Sequence, residues 1–358
     1  MKLKFSLPKI LFFIGLILVL IITISLTMEN QKQTYLINNK LPLIKEGWKG
    51  NLLIDNKFVN GNMADNVSFK DFLKWQFSRN PQKQEKKDDT FRVEVIANHN
   101  FVKSHDDMIV WLGHASFFIR LDGINILTDP CYYNMPFLKR LAGLPCDVNE
   151  LKGIDYILIS HNHRDHFDNK SIKEIFKNNP NAMALVPLRT GKLISKISGK
   201  YEDAGWYQKF STSEKIKIYF MPSHHWCRRG LTDNNEMLWG SFIIQSESTT
   251  IYFAGDTKLD THFTEISKFF PKIDYALMPI GAYKPPYIMK QAHMSPQESV
   301  EAANDLKTKN FVPMHYATYD LSDEPIGEPL RFLKKLKEDG TLKSELKVLK
   351  IGEELHLK

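Results

Sequence analysis

Tyr156-Ile157-Leu158-Ile159-Ser160 runs directly into His161-Asn162-His163-Arg164-Asp165-His166, and this junction decides the fold. The first five residues are a short apolar run of the kind that forms a fully buried strand. Three histidines and a carboxylate then fall within six residues, 161 to 166. An imidazole offers one nitrogen to a metal while a neighbour holds its other N–H. Nitrogen and carboxylate ligands suit zinc at about 2.0–2.2 Å. On an irregular loop His161 and His163 can face one ion while Asp165 and His166 face another. Without a metal, neighbouring cationic imidazoles would repel one another.

The same arrangement recurs further along the chain. His224-His225-Trp226 follows an apolar run ending at Met221. Gly255-Asp256-Thr257 follows residues 251–254, and His315 follows residues 311–314. Each is a His or Asp at the C-terminal end of a strand. One alone reads as structural, but several together read as a site built at a sheet edge. His161, His163 and His225 are expected to hold a first zinc ion, and Asp165, His166 and His315 a second. Asp256 is expected to bridge them, because a carboxylate has two oxygens.

Strands are expected at 108–112, 117–121, 124–129, 156–160, 184–187, 216–221, 242–245, 250–253, 275–279 and 311–314. Asp122-Gly123 between two apolar runs signals a tight hairpin, because both turn positions need positive φ. Helices are expected at 171–177 and 296–307, the latter opened by Ser295 with Glu298 three residues on, a capping box. Aromatics at helical spacing in Phe69-Lys70-Asp71-Phe72-Leu73-Lys74-Trp75-Gln76-Phe77 suggest a short amphipathic helix that packs on the domain or touches lipid, with packing the favoured reading. The charged run 82–89 reads as a solvated loop.

The chain has 358 residues, with 43% hydrophobic and 25% charged, ordinary for a globular protein. This excludes a largely disordered chain, a collagen and a disulfide scaffold. Cys131, Cys146 and Cys227 are scattered, with no C-x-x-C pair. Lys plus Arg is 48 against 41 acidic residues, a net charge of +7 spread along the chain. No basic block of the kind that tracks nucleic acid is present, so no nucleic-acid partner is expected.

Lys2, Lys4 and Lys9 precede an uncharged apolar run over residues 10–28. About 20 such residues span a bilayer. No A-x-A cleavage pattern follows, so residues 1–30 are read as an uncleaved signal anchor, with a removed secretory signal as the alternative. The flanking lysines keep the N-terminus inside and place the rest of the chain on the extracytoplasmic side. Residues 31–103 are then an extension and linker, and 104–358 the domain that carries the candidate metal ligands. A homodimer is compatible with this organisation.

H-x-H-x-D-H followed by a distant His, a Gly-Asp and a last His resembles the metallo-β-lactamase superfamily. Further motifs narrow the resemblance: Trp111-Leu112-Gly113-His114-Ala115-Ser116, Leu127-Thr128-Asp129-Pro130, Leu238-Trp239-Gly240-Ser241, Pro279-Ile280-Gly281-Ala282-Tyr283 and Met289-Lys290-Gln291-Ala292-His293. With His225-Trp226-Cys227-Arg228-Arg229 they resemble the N-acylphosphatidylethanolamine-hydrolysing phospholipase D family, over roughly residues 69–350. The resemblance implies a four-layer αββα sandwich with a two-zinc site at one edge. It favours His225 over His224 as ligand and places His293 near the substrate phosphate. Asp165, Asp256 and His293 are the candidate catalytic residues. Tyr316 departs from the pattern, since relatives often carry Trp there.

Two metals would clamp a phosphoryl group and share an activated hydroxide, attacking phosphorus in line with the leaving alcohol. The expected products are phosphatidic acid and an N-acylethanolamine, released from a phospholipid at a membrane. Asp129 is either support for a ligand histidine or a turn residue before Pro130. His114 has the same two readings, support or core. Arg228 and Arg229 are candidates for phosphate or for a structural carboxylate, one of them structural. The aromatic segments 132–144 and 283–289 are candidates to line an acyl groove or dip into the membrane, with packed lids as the equal alternative. The rival functions are another metal-dependent hydrolase of this fold, such as a lactonase or nuclease, and a membrane-tethered protein with a non-catalytic metal site.

Overall fold

A computed structural model describes residues 32–60, 69–197 and 199–357. The apolar run 10–28, expected to be a signal anchor, lies outside the described residues. Among the described residues no helix is long and apolar enough to cross a membrane.

Strands β1 (Gln33–Leu36), β2 (Asn51–Ile54) and β3 (Lys57–Phe58) form a small antiparallel sheet. The first large sheet contains β4 (Met108–Gly113), β5 (Ser116–Leu121), β6 (Ile124–Thr128), β7 (Tyr156–Leu158), β8 (Met183–Pro187) and β9 (Lys200–Ala204). The second contains β10 (Gln208–Lys209), β11 (Lys217–Met221), β12 (Ser241–Gln245), β13 (Thr250–Phe253), β14 (Tyr275–Pro279), β15 (Asn310–Met314) and β16 (Glu345–Leu346). The last strand, β17 (Glu354–His356), returns to the first sheet beside β4. Each large sheet changes character midway. Strands β4 to β6 and β10 to β13 pair antiparallel, whereas β6 to β9 and β13 to β16 pair parallel.

Side-chain alternation sets the layers. In β4, Ile109 and Trp111 join Phe117 and Ile119 of β5 in one cluster with Phe220, Ile243 and Phe253 of the second sheet. Met108, Val110 and Leu112 point the other way, onto Ile172, Ile175 and Phe176 of the helix Asn169–Asn178. A period of two is what a strand buried on both faces requires. Helices His262–Phe269, Pro296–Leu306 and Glu328–Glu338 supply Phe263, Val300 and Leu333 to the core beside the second sheet. The result is the expected αββα sandwich.

The turn at Asp122-Gly123 has φ of 49° and 78°, as the hairpin signal required. Ser295 and Glu298 form the expected reciprocal cap. The strand expected to reach Ser160 stops at Leu158, because the Ser160 N–H donates to the Asp129 carboxylate instead of a neighbouring strand. The run 82–89, read as a loop, contains the helix Lys83–Asp88. Contacts distant in sequence hold it: Gln82 donates to Glu328, and Lys86 pairs with Asp320 at 2.5 Å. All three cysteines are free thiols.

Candidate metal centre and its cleft

The parallel strands β7, β13 and β15 end at one edge of the sandwich, and their loops carry His161, Asp256 and His315. Backbone at this edge approaches closely. The Gly240 N–H donates to the Ser160 carbonyl at 3.0 Å. Gly255, at φ 60°, lies so near that an added Cβ would sit 2.6 Å from Ser160 Cβ. Only glycine fits this crossing.

His161, His163 and His225 converge. His161 Nε2 lies 2.9 Å from His163 Nδ1, which lies 3.2 Å from His225 Nε2. A tetrahedral ion with bonds of about 2.0–2.1 Å has ligand–ligand edges of roughly 3.3 Å. Asp165, His166 and His315 form a second group, with Asp165 Oδ2 at 3.5 Å from His166 Nε2 and 3.6 Å from His315 Nε2. Asp256 Oδ2 sits between the groups. It lies 3.2 Å from both His166 Nε2 and His315 Nε2, 4.0 Å from His161 Nε2 and 3.9 Å from His225 Nε2. All seven residues of the expected ligand set therefore meet at one point.

These atoms fit divalent cations better than one another. His166 Nε2, His315 Nε2 and Asp256 Oδ1 are buried without hydrogen-bond partners. Such orphans are costly in a protein interior unless something else satisfies them. Burial and the crowding of imidazoles push His161 and His225 well below the ordinary histidine value, and burial takes His163 to about 4. Neutral imidazole is the form that binds a cation. Burial opposes charge on His166 and His315 as well. Asp256 and Asp165 override it, raising His315 to about 9 and His166 well above its usual value.

A buried network orients these groups. Asp129 is fully buried, and its Oδ2 accepts from His166 Nδ1 at 2.7 Å and from Ser160 Oγ at 2.5 Å. Ser160 Oγ also meets His161 Nδ1 at 2.9 Å. Asp129 thus supports a candidate ligand histidine, the first of its two readings. His114 Nε2 lies 3.0 Å from Asp165 Oδ2, so it too braces a candidate ligand. His225 Nδ1 donates to the Ala292 carbonyl at 2.9 Å, leaving Nε2 for the centre. His224 turns away to Asp260, at 2.5 Å.

Arg229 is the structural member of its pair. It donates to the Asn162 and Phe167 carbonyls at 2.9 and 2.8 Å, bracing both ends of the histidine loop. Arg228 is exposed over the Trp226 ring, at the mouth of a cleft of about 810 Å³ that opens onto His163, Asp165, Asp256 and His315. His293 also faces this space, with Nδ1 at 3.7 Å from Asp256 Oδ2. Burial lowers its pKa to about 4.

The cleft walls are largely apolar, formed chiefly by Trp75, Trp226, Leu231, Ile288, Met289 and Leu321, with Arg164 and Asn234 as polar members. Of the segment 283–289, Ile288 and Met289 line it. The segment 132–144 does not: Tyr132 is buried beneath the first sheet, and Phe137 points fully into solvent. Sequence reasoning missed Trp75 and Leu231 as wall residues. The aromatic spacing around Trp75 announces a helix but carries no information about where that helix docks.

Residues 124–316 match the family described as the beta-lactamase superfamily domain. The chain is 30% identical, over 70% of its length and 75% of the relative, to N-acyl-phosphatidylethanolamine-hydrolyzing phospholipase D 1 of Caenorhabditis elegans. It is 32% identical, over 68% of its length, to the mitochondrial N-acyl-phosphatidylethanolamine-hydrolyzing phospholipase D of Saccharomyces cerevisiae, of which it spans 54%. The fold is similar to that of Igni18, a metallo hydrolase of the archaeon Ignicoccus hospitalis. The TM-score is 0.56 at 21% identity, covering 70% of this chain and 98% of that one.

Proposed function

Given that the chain belongs to the beta-lactamase superfamily, as one of its metal-dependent hydrolases, we propose that it is a phosphodiesterase of phospholipase D type. Its substrates would be N-acylphosphatidylethanolamine-like phospholipids, cleaved to phosphatidic acid and N-acylethanolamine. The observation that carries this reading is a double His/Asp centre on the floor of a large apolar cleft with an arginine at its mouth. The names of the worm and yeast relatives support the same substrate class.

We assign His161, His163 and His225 to one zinc ion and Asp165, His166 and His315 to the other, with Asp256 shared. Bound there, the two ions would supply Lewis acidity toward the phosphoryl oxygens and a water of lowered pKa. The chain's own residues do the rest. Asp129 and His114 fix the ligand rings and carboxylate, so the centre needs little rearrangement on loading. His293, kept neutral by burial, presents a ring nitrogen to a phosphoryl oxygen or the leaving alcohol. Arg228 attracts the lipid phosphate to the mouth, and the apolar walls take the acyl chains and exclude water from them. The apolar run 10–28 would tether the domain to the membrane that holds its substrate, on the extracytoplasmic side.

The test is turnover of N-acylphosphatidylethanolamine in mixed micelles, with products identified by mass spectrometry beside a chelated sample. Phosphatidic acid and N-acylethanolamine, both lost on chelation, are expected. Fully metal-loaded protein that leaves the phosphodiester intact would overturn the phospholipase assignment.

A further inference from the structure

The helix Phe69–Phe77 lies outside the two-sheet sandwich and outside residues 124–316, yet Trp75 forms part of the cleft wall. Its indole N–H donates to Asp323 Oδ1 at 3.1 Å. The segment that follows is fastened along residues 320–328. Asn80 donates to the Asp323 carbonyl at 2.8 Å, Gln82 to Glu328 at 2.7 Å, and Lys86 pairs with Asp320. On its other side the helix meets Pro286–Met289, where Lys74 sits over the Tyr287 ring at 4.3 Å. Residues 69–88 therefore form a strap, anchored on two elements, that carries one aromatic ring to the cleft.

We infer that Trp75 is a specificity-determining residue that reads the length of the lipid acyl chain. The inference rests on the phospholipid reading above. Trp75 lines the cleft together with Leu321, Ile288 and Met289, all apolar, and its helix contacts the helix Pro286–Met289 that carries two of them. A tryptophan presents a large rigid apolar face at small entropic cost. With its N–H donated to Asp323, the indole contributes apolar ring surface to the cleft. Each methylene laid against it gains affinity in proportion to the area removed from water.

The test is calorimetric binding of monoacyl phosphatidates of increasing chain length, below their micelle concentrations, to the metal-loaded full chain. The expected result is affinity that rises with chain length in the natural protein and rises much less in Trp75→Ala. The longest chain should weaken about tenfold and the shortest far less. Trp75→Phe, which keeps an apolar ring, should retain most of the dependence. Phe137→Ala, remote from the cleft, should retain all of it. Equal weakening at every length would reduce Trp75 to a structural role and overturn the inference. So would no chain-length dependence in the natural protein. Failure of the phospholipase reading is read separately, as length-dependent binding without phosphodiester turnover.

Discussion

Asp129 Oδ2 accepts from His166 Nδ1 at 2.7 Å and, through Ser160 Oγ, reaches His161 Nδ1. One buried carboxylate thus orients one histidine of each candidate ligand group. Partners of this kind typically change metal affinity 10–100-fold when removed. Asp129→Asn, which keeps the volume but loses the charge, is expected to weaken metal binding by roughly that factor. Competition with a chromophoric chelator measures it. Unchanged affinity would show that the ring positions are fixed by packing alone.

Metal loading should release protons, and the two groups should differ. In the metal-free protein His166 and His315 are held above their ordinary values by Asp256 and Asp165, His315 at about 9. His315 carries a proton below that pH, His166 is held toward its protonated form by the same carboxylates, and an incoming cation must displace these protons. Apparent affinity at Asp165, His166 and His315 should therefore increase with pH, at least up to about 9, where His315 gives up its proton. His161, His163 and His225 are already neutral and should release few protons. Calorimetry in buffers of different ionisation enthalpy, carried out near neutral pH, counts the protons. Release of none would contradict the protonation pattern.

Arg229 braces the histidine loop through the Asn162 and Phe167 carbonyls and packs over the Phe167 ring, 5.1 Å from its centroid. Arg229→Ala leaves two carbonyls without their donor. It should cost about 2 kcal/mol in urea denaturation, with Arg229→Lys intermediate. A change below about 0.5 kcal/mol would mean that water replaces the guanidinium without loss.

Gly255→Ala would place a methyl against Ser160 Cβ at a positive φ. Destabilisation of about 1–3 kcal/mol, with weaker metal binding, is expected. Gly340→Ala is the contrast, because its φ is also positive but an added Cβ meets nothing within 4 Å. It should show only the backbone cost, about 1 kcal/mol, and normal metal binding. Thermal melts with and without metal separate the two.

Much of the site was legible because its signals are local. His161, His163, Asp165 and His166 fall on one loop, and His225, Asp256 and His315 each follow an apolar run that became a strand. The hairpin at Asp122-Gly123 and the cap at Ser295 are also written within a few residues. What escaped depends on contacts distant in sequence. Lys83–Asp88 has good helix formers but no apolar face to mark it as packed, and its ties to Glu328 and Asp320 are distant in sequence. Trp75 looked like any aromatic on an amphipathic helix until that helix was placed beside the cleft. Short strands such as Gln208–Lys209 and Glu345–Leu346 exist only because a longer neighbour pairs with them. The choice between the two readings of Asp129 needed its side-chain partners, not its position before Pro130.

The most direct test of the central claim traces the oxygen that cleaves the lipid. Metal-loaded protein is incubated with N-acylphosphatidylethanolamine in water carrying heavy oxygen, and both products are weighed by mass spectrometry. Attack on phosphorus at this centre predicts one heavy oxygen in the phosphatidic acid and none in the N-acylethanolamine. Label in the N-acylethanolamine, or no cleavage by the loaded protein, would contradict it.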